Sequence, residues 1–184
     1  MNISVIGGDN RIVELVKLLI EENNVGIYAL EKSEELLENN SIRIFENLNE
    51  ALDFSNKIIT SIPISKDGVY ISTPYSNKKI QIQELLEKAE NKQIIAGNVK
   101  QEILKINDNK NEIIDILQSE DLAILNSIPT AEGAIQIAME KSTKTLHGSN
   151  CLVMGFGRIG KVLAKMLDGI GSKVYCEARK NEDI

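Results

Sequence analysis

The chain has 184 residues, 42% of them apolar, and a mean hydropathy of -0.13, which suits one or two globular domains with an aliphatic core. A net charge of -6 without a Lys/Arg cluster argues against a nucleic-acid partner, and 4% aromatics with no tryptophan offer no base-stacking platform. No apolar run approaches the roughly 18 residues of a membrane span, the start lacks a signal-peptide pattern, and Cys151 and Cys176 have neither metal nor redox spacing, so both read as small core residues of a reducing cytosol.

Ile3–Ile6 reads as a strand running into Gly7-Gly8-Asp9. Ile12, Leu15, Val16 and Leu19 then recur at helical spacing. Val25–Leu30 is the next strand, and the polar stretch after it carries a short strand near 42–45 and a helical turn near Ala51. A strand is expected over 58–64, with Pro63 marking an edge or a strand exit. Lys66-Asp67-Gly68 is a turn, and 69–72 suggests an added strand. Ile82, Leu85, Leu86 and Ala89 mark a second amphipathic helix, Ile94–Ala96 a short buried strand, and 113–117 and 122–125 further apolar runs. Strands alternating with helices in this way predict a parallel sheet covered on both faces. The expected domains are therefore a small doubly wound α/β unit over residues 1–126 and a linker helix and hinge over 127–148. In that hinge Pro129 takes a first-turn position and Glu132 sits near the positive helix end. A second domain follows over 149–184.

The second domain carries the clearest chemistry. Cys151–Met154 reads as a buried strand leading into Gly155-Phe156-Gly157-Arg158-Ile159-Gly160, then a helix, then a second strand at 173–176. This is the first β-α-β unit of a Rossmann dinucleotide-binding domain. A G-x-G-x-x-G motif gains its meaning from that context. Gly155 permits the turn, Gly157 admits the pyrophosphate, Gly160 allows close helix–strand packing, and the helix N-terminus at Arg158 and Ile159 faces the phosphates. Ala178, at the place of the ribose-binding acid, followed by Arg179 and Lys180, favours the 2′-phosphate of NADP. If the strand ends one residue earlier, Glu177 becomes that acid and NAD is favoured.

These residues also carry a resemblance. Gly7-Gly8-Asp9-Asn10-Arg11, Leu125-Asn126-Ser127-Ile128-Pro129-Thr130-Ala131-Glu132-Gly133, Leu146-His147-Gly148-Ser149 and the glycine loop with Ala178-Arg179 occur in this order. Together they resemble the A subunits of dipicolinate synthases over the whole chain. The Ile-Pro-Thr-Ala-Glu-Gly stretch is more specific than the glycine loop. The resemblance implies a cytoplasmic, NAD(P)-dependent oxidoreductase in the mother cell of a sporulating bacterium, oxidising dihydrodipicolinate to dipicolinate. It implies the flavoprotein-like B subunit of dipicolinate synthase as partner, and homo-oligomerisation stays open. Family members continue well past residue 184. The expectation is thus a fragment, an interrupted gene or a fold completed by another chain, inactive by itself. Two other readings are kept: a non-enzymatic NAD(P)-sensing module and an inactive truncated product.

Four residues are expected to touch a small dicarboxylate substrate. Asp9 and Arg11 follow a strand end, where Arg11 would pair with a carboxylate; the competing reading has Asp9 capping the helix and Arg11 solvated. Ser127 and Thr130 would line the cleft from the hinge, although capping alone also explains Thr130. Ser61 and Ser65, flanking Pro63, read as loop residues that could reach the same cleft. His147, the one histidine, lies at the strand end away from the ligand and reads as structural. No metal-ligand cluster and no catalytic base is apparent.

Overall fold

The computed structural model describes residues 1–178. It divides into two compact units, Met1–Ile116 and Leu117 onward. The division falls ten residues before the expected 126, and residues 127–141 of the expected hinge lie in a helix of the second unit.

The first unit runs β1 (Asn2–Ile6), α1 (Asn10–Leu19), β2 (Asn24–Tyr28), α2 (Glu34–Leu37), β3 (Ile42–Ile44), α3 (Leu48–Phe54), β4 (Lys57–Thr60), α4 (Ile82–Lys88), β5 (Gln93–Ala96), α5 (Gln101–Asn107) and β6 (Glu112–Asp115). Its six strands pair in the order β3-β2-β1-β4-β5-β6, and every pairing is parallel. The period-2 alternation of β1 divides the core. Ile3 and Val5 pack with Ile12, Val13 and Val16 of α1, whereas Ile6 packs with Leu48, Ala51 and Leu52 of α3 and Leu85 and Leu86 of α4. Ser4, on the α3 side, satisfies its buried hydroxyl by donating to the Ala51 carbonyl at 2.5 Å. Both sheet faces are therefore covered, as β-branched strands of a parallel sheet require.

Pro63 does not mark an edge. β4 is an interior strand and stops at Thr60, so Pro63 lies in the exit loop. The added strand expected at 69–72 is reduced to isolated antiparallel bridges, Ser65 to Ile71 and Tyr70 to Gln81. This excursion between β4 and α4 folds back over the end of β1, where Gly8 N–H donates to the Ser72 carbonyl at 3.1 Å.

The second unit contains α6 (Glu120–Lys141), β7 (Asn150–Met154), α7 (Arg158–Gly169) and β8 (Lys173–Glu177), with a 3-10 turn at Ile116–Gln118 straddling the division. Pro129 lies inside the 22-residue α6, not in its first turn. The helix starts where Ser119 caps it, accepting from Leu122 N–H at 3.3 Å, with Glu120 and Asp121 in the first turn. Around Pro129 two hydroxyls bond back to the helix: Ser127 Oγ donates to Ile124 O at 2.6 Å and Thr130 Oγ1 to Asn126 O at 2.7 Å.

β7 and β8 pair in parallel, and one face packs on α7: Cys151, Val153, Val174 and Cys176 meet Leu163 and Leu167. β7 is not the buried strand expected. Leu152 is 63% exposed, Met154 78% and Tyr175 58%, because only the α7 side of the sheet is covered among the described residues. The two cysteines are accordingly half-buried.

At the β6 edge of the first unit's sheet, Asn107 and Asn111 form a buried amide pair. Asn111 Nδ2 donates to Ala89 O at 2.8 Å and to Asn107 Oδ1 at 3.0 Å, and Asn111 Oδ1 accepts from Lys92 N–H at 3.0 Å. One side chain thus ties the end of α4 and the start of β5 to β6. Asn111→Ala strands these groups and is expected to lower stability by about 2–4 kcal/mol, read as a reduced urea midpoint at unchanged slope.

Candidate functional site

In an open parallel sheet, ligands bind beyond the carboxyl ends of the strands where the strand order reverses. In the first unit that point lies between β1 and β4. Asp9 and Arg11 sit there. Asp9 caps α1 by accepting from Arg11 N–H at 3.0 Å and grips the same residue's guanidinium, with Nη2 to Oδ2 at 2.7 Å. Arg11 also donates to the Ile62 carbonyl in the β4 exit loop, so it bridges the switch point. Its side chain remains 62% exposed. The hydrogen bonds from Arg11 hold the Asp9 carboxyl below its ordinary range, and Asp9 in turn raises Arg11. Both expected roles of this pair are compatible with the geometry: Asp9 is the cap, and Arg11 is a positioned cation with an open side.

Ser61 is buried and donates to Ile64 O at 3.0 Å, while Ser65 Oγ accepts from Gly68 N–H at 2.8 Å, so both hydroxyls shape the exit loop. Ser127 is buried within α6 and Thr130 exposed on it, each committed to its own helix backbone. They belong to the second unit.

The glycine loop has the geometry its sequence called for. Gly155 adopts φ +100°, open to glycine and costly for other residues, and its N–H donates to Glu177 O at 2.9 Å, locking the turn to the end of β8. A Cβ at position 160 would overlap the Gly155 carbonyl oxygen, so the helix closes on the loop backbone to backbone. Gly157 differs: a Cβ there would meet nothing within 4 Å. Protein packing does not require glycine at 157, but close approach of a phosphate group would. Gly157 is the N-cap of α7 and no side chain among the described residues caps this helix, leaving first-turn N–H groups for an anion. Ile159 is 46% exposed on that turn. These features fit the pyrophosphate of a dinucleotide.

β8 ends at Glu177, one residue before the expected place of the ribose-binding position. Its alternation matters here. Val174 and Cys176 face α7, whereas Tyr175 and Glu177 are exposed and lie on the other face, so Ala178 follows in phase with the α7 side. Arg179 and Lys180 lie outside the described residues. Arg158 has a protein partner that the sequence did not announce: it is ion-paired to Glu120 of α6. No local sequence pattern joins residues 38 positions apart, so this pair had no signal in the sequence. His147 holds a structural place, its Nδ1 3.0 Å from Ile170 O. Among the described residues no group of His, Cys, Asp and Glu could hold a metal ion, and no helix is long and apolar enough to cross a membrane.

Known proteins agree with this architecture. Residues 2–117 match the family described as the N-terminal domain of the dipicolinate synthase A subunit. The dipicolinate synthase A subunit of Bacillus subtilis (strain 168) is 30% identical over 190 aligned residues, covering 100% of this chain and 63% of that protein. The crystal structure of the B. subtilis protein superposes with a TM-score of 0.83 at 26% identity, over 99% of this chain and 62% of that one. The crystal structure of its Bacillus halodurans counterpart gives a TM-score of 0.85 at 26% identity, over 98% and 62%. The chain thus spans somewhat less than two thirds of the length of these relatives, and by its sequence match and its fold it belongs to the family of dipicolinate synthase A subunits.

Proposed function

We propose that this chain is the substrate-side domain and the opening of the cofactor domain of an NAD(P)-dependent oxidoreductase that converts dihydrodipicolinate to dipicolinate. A bound nicotinamide would accept the hydride, and loss of a proton completes aromatisation of the ring. The observation that carries the reading is Gly157, a glycine that packing does not demand, at the uncapped start of α7 in a strand–loop–helix of dinucleotide type. Gly155, Gly157, Gly160 and the first turn at Arg158 and Ile159 hold the pyrophosphate. Arg11, positioned by Asp9 and the Ile62 carbonyl, takes one substrate carboxylate. Ser127 and Thr130 are the hinge residues of this substrate-side reading, each also bonded to its own helix backbone. The partner is the flavoprotein-like B subunit, and the setting is the cytoplasm of the sporulating mother cell.

NADP is the preferred cofactor in this reading, because Ala178 is in phase with the α7 side and Arg179 and Lys180 follow it. The alternative, NAD, draws on Glu177 being the last residue of β8.

Calorimetric titration of the purified chain with NADPH and NADH tests the site. In Gly157→Ala, stability should change by no more than about 1 kcal/mol, while dinucleotide affinity falls roughly tenfold or more as the methyl group meets the pyrophosphate. Gly160→Ala should instead cost about 3 kcal/mol or more of stability, since the clash is with backbone. Equal behaviour of the two variants would overturn the assignment.

Replacing Arg179 by Ala should weaken NADPH by about tenfold and leave NADH unchanged. A chain that prefers NADH, and loses it on Glu177→Gln, is an NAD protein.

For the substrate side, Arg11→Gln is expected to weaken dipicolinate binding by about tenfold at low salt. Unchanged affinity would return Arg11 to a purely structural role.

A further inference from the structure

The first turn of α7 carries its charge in an unusual sense. Arg158 is the first residue of the helix, beside the positive end of the peptide dipoles, and the first turn contains no acidic residue. A cation there is unfavourable unless an anion accompanies it. In this fold the anion is the carboxylate of Glu120, the first residue of α6, ion-paired to Arg158 Nη1. α6 packs along α7 within the same unit, so the pairing follows from the packing of those two helices.

We infer that Glu120 is an internal competitor for the cofactor phosphate: it neutralises Arg158 in the free protein and must yield it to a pyrophosphate oxygen when a dinucleotide binds. This deepens the cofactor-site reading and rests on it. The side chains of Arg158 and Glu120 are 52% and 68% exposed, so the pair is weak and readily exchanged. Its consequence is a moderated affinity. Glu120 acts through Arg158 as a positioning residue and needs no contact with the ligand.

The test is a double-mutant cycle on the purified chain, with NADPH and NADH titrated by calorimetry at low and high salt. Glu120→Gln should bind both dinucleotides about two- to fivefold tighter at low ionic strength, with the gain shrinking at high salt. In an Arg158→Gln background the same change should have little effect, because no cation remains to be released. Both residues are exposed, and thermal melts confirm that the variants fold. Equal or weaker binding by Glu120→Gln, with the parent chain still binding, overturns the inference and leaves the cofactor site intact. A gain that persists undiminished with Arg158→Gln also overturns it, since Glu120 would then repel the phosphate directly. Absence of binding in all four proteins overturns the cofactor site itself and this inference with it.

Discussion

The carbonyl of Gly155 occupies the space where any side chain at position 160 would begin. The second unit depends on this contact. It lets α7 start directly against the end of β7 and brings its N-terminus to the strand's carboxyl end. Leu163 and Leu167 can then cover Cys151, Val153, Val174 and Cys176. The turn is held from the other side by Gly155 N–H on the Glu177 carbonyl, so loop, helix and second strand are fixed together. A helix set even a side chain's width further out would lose that packing.

The two units each contain a strand, glycine turn, helix and strand in succession, yet use the turn differently. In the first unit Gly8 allows the same close approach, since a Cβ would lie 2.5 Å from Ile12. There the crevice side belongs to the chain itself: Ser72 O takes the Gly8 N–H, and a Cβ on Gly7 would lie 2.8 Å from the Thr73 methyl. Asp9 caps α1 with its own carboxylate. In the second unit the corresponding helix start carries no side-chain cap among the described residues, and Gly157 has no neighbour to accommodate. One glycine turn is closed by protein, and the other is left open at its helix start among the described residues.

Electrostatics at both places follows the same pattern. Asp9 holds Arg11, and Glu120 holds Arg158, so each cation beside a strand end is neutralised by a nearby carboxylate without being buried. Exposed pairs of this kind contribute little to stability, and each guanidinium stays available to a stronger, bidentate acceptor.

Much of this was legible in the chain itself. The amphipathic spacing of Ile12, Val16 and Leu19, the β-branched runs and the glycine loop in its strand–helix context predicted the parallel α/β unit and the dinucleotide-type turn. Local periodicity and turn chemistry are properties of neighbouring residues, and here they agree with the fold. The rest needed three dimensions. Pro129 looked like a helix start, but α6 begins at the Ser119 cap and runs on through the proline. Pro63 signalled an edge or a strand exit, and strand order, set by long-range pairing, decided for the exit by making β4 interior. Cys151–Met154 looked buried, yet burial depends on what covers each face, and only α7 does so among the described residues. Glu120 and Arg158 carry no pattern that would join them, because their meeting is decided by the packing of α6 on α7, a tertiary fact that no local stretch of sequence encodes.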